Sequence, residues 1–272
     1  FSNISDSAQL LVSSGGFGNI DSGKTVTSNL KTTISGLNNA TITNNGTLAL
    51  TVKDGAVGIY LSASKGINAS NSNLTAANTQ SVGIFGVEGS ILENSGNITT
   101  EGTASVGMLA NESTVTNENS GNITVKNTGS VGILGISNST VTNKGTVTAN
   151  ETGSAGIYGD NSNIVNISTG SITTIKGNSA AIYATATQAK TITNEGIINV
   201  GNSSSAATEN QGVGIYAELT SGSGPLAVSN SNNITLNLEG SVGIFAKNLT
   251  NSVNSVTVKN SGTITAMKDK AV

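Results

Sequence analysis

Apolar and polar residues in this chain alternate on two nested periods. Locally the apolar positions recur every second residue, the spacing of a half-buried β-strand and not of a helix. Over longer distances two short markers repeat about every 25 residues from residue 40 to the end. The first is Asn-x-Gly followed by an alternating run, as in Asn44 to Leu48, Asn94 to Ile98 and Asn143 to Val147. Its glycine position passes through Gly46, Ser72, Gly96, Gly121, Gly145, Gly170, Gly196, Asn232 and Gly262, in steps of 26, 24, 25, 24, 25, 26, 36 and 30 residues. The second is Val-Gly-Ile-aromatic, with glycine at 58, 83, 107, 132, 156, 214 and 243 and Ala181 in the remaining copy. Two independent markers sharing one period identify a repeat architecture.

Asn, Ser, Thr, Gly and β-branched residues are poor helix formers, so helical repeats do not fit. The Leu-x-x-Leu-x-Leu register of leucine-rich repeats is missing. About 25 residues divide into three short strands and three corners, which is one coil of a right-handed parallel β-helix. The predicted fold is therefore all-β, a right-handed β-solenoid of about nine rungs, three strands per rung, and at ~4.8 Å per rung a rod of roughly 43 Å. Two residues after the first marker stand Leu48, Leu74, Ile98, Ile123, Val147, Ile172, Ile198, Ile234 and Ile264, an aliphatic column in every copy. Val57, Val82, Val106, Val131, Ala155, Ala180, Val213 and Val242 flank the second marker on one side, and the Ile59 to Ile244 column flanks it on the other. Ile42, Leu92, Val141, Ile192, Val228 and Val258 mark a third strand. Stacking is expected to bury all of these columns as one continuous core. Two residues before the marker glycine an Asn recurs (Asn44, Asn94, Asn119, Asn143, Asn194, Asn230, Asn260), with Ser70 and Ser168 in the other copies. A structural amide ladder at a corner is the economical account of it.

Residues 1–36 fit the register poorly and are expected to form an irregular first rung or to continue an upstream solenoid. The solenoid proper is read as 37–272, stopping inside a rung, as expected of a piece of a longer one. Three rungs are lengthened, at 201–211, 218–226 and 247–255. The last two fall at one corner of adjacent rungs, so their loops should lie side by side. Insertions in solenoids map to loops on one face, often the binding face, which makes Glu218, Ser221, Pro225, Lys247, Asn248 and Asn251 candidate binding residues.

Composition narrows the chemistry. Asn, Ser and Thr supply 110 of 272 residues, yet 35% are hydrophobic and only 10% charged, unlike a disordered chain. With no His and no Cys there is no Ser-His-Asp triad, no thiol nucleophile and no ordinary zinc site. With no Arg and a net charge of −3 the chain lacks the phosphate clamps and the sign needed for nucleic acid. No apolar run is long enough to span a membrane as a helix. β-Helices often carry polysaccharide-cleaving sites, which need clustered carboxylates. The five Asp residues share no column, and Glu101 and Glu151 sit at equivalent corners two rungs apart as solvated surface groups, so neither an enzyme nor a cofactor is expected. No Asp-rich calcium loop occurs.

One column remains. Tyr60, Phe85, Leu109, Leu134, Tyr158, Tyr183, Tyr216 and Phe245 follow the second marker and hold six of the eight aromatic residues. Strict alternation points them outward as an exposed stripe for sugar or protein contact. A corner just after the strand would turn them inward, where Leu substitutes easily, and this packing reading is the preferred one.

The tandem units, such as Gly153-Ser-Ala-Gly-Ile-Tyr-Gly159 with Val141-Thr-Asn-Lys-Gly-Thr-Val147, resemble the passenger repeats of bacterial autotransporters, in particular the very large fusobacterial outer-membrane adhesins. The resemblance covers roughly residues 40–272. It implies a passenger exported through an outer-membrane β-barrel lying outside this sequence and displayed on the cell surface. Its expected role is adhesion, as a monomeric rigid stalk with binding loops, to a host or bacterial cell-surface protein or glycan. The alternatives are a purely structural spacer and a carbohydrate-active β-helix.

Overall fold

The computed structural model describes residues 10–51, 53–202, 211–250 and 255–272. Among them every regular element is a β-strand, and no helix is long and apolar enough to cross a membrane. One coil lays down Val106–Asn111, Thr114–Asn117 and Asn122–Val125, one strand on each of three faces. The next coil repeats them as Val131–Ile136, Thr140–Asn143 and Thr146–Ala149. Each strand pairs in parallel with its counterpart one coil on. The third face is a sheet ten strands deep, so about nine turns separate its first strand from its last. The fold is a parallel β-solenoid, as the repeat predicts.

The core follows the alternation of the sequence. On the third face Leu48, Leu74, Ile98, Ile123, Val147, Ile172, Ile198 and Ile234 stand in one register and are essentially fully buried. Ile264, on the last strand of that sheet, is 36% exposed. Ile59, Ile84, Met108, Ile133, Ile157, Ile182 and Ile215 form the matching column of the first face. On the second face Val115 and Ile164 fill copies that the marker spacing leaves blank.

The corners carry buried polar ladders. Nine amides, Asn44, Asn68, Asn94, Asn117, Asn143, Asn166, Asn194, Asn230 and Asn260, form one chain in which each Nδ2 donates to the next Oδ1 at 2.6–2.9 Å. This corrects the expected ladder at three rungs. Ser70, Asn119 and Ser168 are exposed, and Asn68, Asn117 and Asn166 take the inward place. The reason is a turn of alternating length: two residues separate Asn143 from Gly145, but four separate Asn117 from Gly121. At the other two corners serine does similar work. The N–H of Ser90 donates to Ser113 Oγ at 3.1 Å, and that of Ser105 to Ser130 Oγ at 3.2 Å.

Leu10–Ser13, Phe17–Ile20 and Thr25–Ser28 already form a coil in register with the one above it. The rest of the expected 1–36 segment, residues 1–9, lies outside the described residues. So do 203–210 of the first expected insertion and 251–254 of the third. The second insertion, 218–226, is folded as strand. Gly212–Asn230 runs round the corner from the first face to the second, paired along its length with Ser179–Asn194. Leu219 and Leu226 inside it are fully buried, so this segment belongs to the core as well as to the surface.

Candidate functional site

The first-face strands break strict alternation at the second marker, and that break builds the site. In Val82–Val87 both Gly83 and Ile84 face inward, and the pairing register passes from Val82 to Ile84. A Cβ on Gly83 would stand 2.5 Å from the carbonyl oxygen of Gly107 in the next coil, so glycine, or in one coil the small Ala181, fits where two consecutive residues turn to the core. With two successive residues inward, those on either side both face out. Two corrections follow. The Val57 to Val242 column, expected in the core, faces outward from it, half-buried at most positions and nearly covered at Val106, Ala155 and Ala180. The aromatic column, for which inward packing was preferred, faces outward as well, half-buried, with Phe245 41% exposed.

The aromatic residues stand opposite one another coil after coil. Leu109 and Leu134 divide them into two groups. Tyr60 and Phe85 meet edge to face with centroids 5.5 Å apart. In the second group Tyr158 meets Tyr183 edge to face at 5.0 Å, Tyr183 stacks on Tyr216 at 4.6 Å, and Tyr216 stacks on Phe245 at 5.2 Å. Such ring pairs add about 0.5–1.5 kcal/mol beyond buried area, so the ladder is a preorganised surface.

Beside the second group runs a groove of about 760 Å³ along the rod. Tyr158, Tyr183 and Tyr216 form one wall, and Val131, Ala155, Ala180, Val213 and Val242 form the floor. The far rim is a column of corner residues, Gly129, Gly153, Asn178, Gln211 and Gly240, all at φ between 55° and 70°. A Cβ on Gly129 or Gly153 would meet nothing within 4 Å, which keeps that rim low and open. None of the described lining residues carries a charge.

Several predicted binding residues gather at the C-terminal end of the ladder. Glu218 and Lys247 are register partners on adjacent coils, as are Leu219 and Asn248, so the first residues of the two lengthened corners run side by side. The Tyr216 hydroxyl donates to the Glu218 carboxylate. That bond, which the phenolate would lose, and then burial push the Tyr216 hydroxyl well above the ordinary phenol range. Burial first, then the neighbouring Tyr158 and Glu218, push Tyr183 up as well. Ser221, Pro225, Lys247 and Asn248 are exposed, and Asn248 Oδ1 accepts from the Thr250 N–H at 2.8 Å. Asn251 lies outside the described residues. Sequence reasoning missed the floor and the rim of the groove; the floor was visible as a column, but nothing in its composition told an outer small-apolar column from a core one.

The two glutamates weighed as a carboxylate pair each hold a lysine one coil on, Glu101 with Lys126 at 2.8 Å and Glu151 with Lys176 at 3.0 Å. Among the described residues no three acidic side chains gather in a way that could hold a metal ion. The family described as the BigA third pectate lyase-like domain matches residues 8–222. Comparison with curated proteins and with solved structures found no match.

Proposed function

The chain belongs to the family of the BigA third pectate lyase-like domain, and we propose from that premise that it is a β-helical passenger of an autotransporter-type adhesin. On this reading it is displayed at the bacterial surface, held through an outer-membrane β-barrel lying outside this sequence, and acts as a monomer. It binds a host or bacterial cell-surface protein or glycan and performs no chemistry. Its repeats resemble in style those of the large fusobacterial outer-membrane adhesins.

The observation that carries the proposal is the outward aromatic ladder with its groove. A solenoid needs no aromatic residue outside its core for stacking, since the aliphatic columns and corner ladders already join the coils. Six of eight aromatic residues nevertheless stand in one outward, half-buried column, and a column of that kind beside an uncharged groove supports reading this face as the one that binds. Beads coated with the chain test this directly. They are expected to attach saturably to epithelial or bacterial cells, with soluble chain competing. Absence of competable attachment to every cell type tried would leave the chain a spacer.

A further inference from the structure

We infer that the groove beside Tyr158, Tyr183 and Tyr216 is a binding site for a neutral oligosaccharide lying along the rod axis; this rests on the adhesin reading and names the ligand class. The ligand class follows from what the groove offers and from what it withholds.

It withholds a strand edge. Backbone N–H and C=O groups of the first face point along the rod and are consumed between successive coils. An extended peptide laid in the groove would find no main chain to pair with, and strand addition is the mode that gives such peptides their affinity. It also withholds charge. The Glu218 carboxylate stands at the Tyr216 hydroxyl, where it would repel a uronate or a sialic acid, and Glu151 and Glu239 beside the rim are each paired with a lysine. The chain contains no Arg to make a bidentate carboxylate clamp.

It offers an apolar floor between two polar edges. Ala180 and Val213 present methyl groups, Tyr183 and Tyr216 hydroxyls border one side, and Asn178 and Gln211 amides stand on the other. A pyranose has that same division, with apolar C–H faces and hydroxyls at its edge. Because Tyr183 and Tyr216 stack on each other, their faces are largely occupied, and they present hydroxyls and ring edges. Tyr158 meets Tyr183 edge to face at 86° and stands outside that stack. The groove spans the five rim positions from Gly129 to Gly240, four coil steps or on the order of 20 Å, which suits a short chain of sugars better than one.

The test uses the whole 272-residue chain, which contains no Trp and has three of its four tyrosines on the groove, so that its tyrosine emission reports chiefly on that site. Neutral hexose and N-acetylhexosamine oligosaccharides are titrated beside oligogalacturonates and sialylated oligosaccharides. At least one neutral oligosaccharide is expected to bind, to change the tyrosine emission, and to keep its affinity as salt is raised, since no ion pair is screened. Val213→Glu, which places a carboxylate on the floor without touching the core, is expected to weaken binding by about tenfold or more, roughly 1.4 kcal/mol, with an unchanged melting profile. Tyr158→Ala provides a second variant and should weaken the same oligosaccharide. Binding of charged glycans alone, or full affinity in both variants, would overturn the inference. If the coated beads attach to cells but no neutral oligosaccharide binds, the inference fails while the adhesin reading stands. If neither happens, both fail.

Discussion

At the scale of single residues the corner amides matter most. Asn143 is fully buried, accepts from Asn117 at 2.9 Å and donates to Asn166 at 2.7 Å. Replacing it by Ala strands a buried donor and a buried acceptor on its neighbours, each costing about 1–3 kcal/mol. Asn143→Ala should therefore lower stability by roughly 2–5 kcal/mol in denaturant melts. Asn119→Ala, at the exposed position one turn-length away, should stay within about 0.5 kcal/mol of wild type. Equal effects would place the ladder where the Asn-x-Gly marker, and not the fold, puts it. The tyrosines give a second residue-scale prediction. Because Tyr183 and Tyr216 ionise above the ordinary phenol value of about 10, whatever stability their contacts contribute is fully present below that pH. It is lost only as pH rises through their raised values. Absorbance titration should show two of the four tyrosines ionising late, and Glu218→Gln should bring Tyr216 back towards the ordinary range. Stability should not change on account of these groups between pH 6 and 9.

At the scale of strands and coils, the columns decide both stability and what could be read in advance. Ile123 is buried between Ile98 and Val147, so Ile123→Ala should cost about 2–5 kcal/mol. Ile264→Ala, in a column place already 36% exposed, should cost far less, and hydrogen exchange on the third face would register the difference. The third-face column was fully legible because a strict two-residue alternation follows a fixed marker. The amide ladder was legible in kind but shifted in three rungs, since the turn after the Asn alternates between two and four residues. Counting back from the marker glycine lands on Asn119, whereas counting forward from Val115 lands on Asn117. The outward face of the aromatic column was not legible, because the adjacent inward pair at Gly83 and Ile84 arises from close contact between coils, and such contact leaves only the glycine itself as a trace. The lengthened corner at 218–226 was visible as extra residues. Its burial at Leu219 and Leu226 was not, since it depends on the matching extension of Ser179–Asn194 in the coil below.

At the scale of the whole molecule, the three faces divide the labour. Aliphatic columns and corner ladders hold every coil to its neighbours, in keeping with stability that sums over adjacent repeats. Exposed Lys–Glu pairs such as Glu101 with Lys126 contribute at most about 1 kcal/mol each, so raising salt should leave the melting profile nearly unchanged. The first face adds an uncharged groove walled by aromatic residues, and on the proposed function that face meets the cell surface. Adhesion of beads coated with Val213→Glu, compared with beads coated with Thr146→Glu, tests it most directly. Both variants add one carboxylate to an outward strand position, the first in the groove and the second on the third face. Loss of cell attachment in the groove variant, with attachment retained in the third-face variant, is the predicted result. Equal attachment by the two would contradict it.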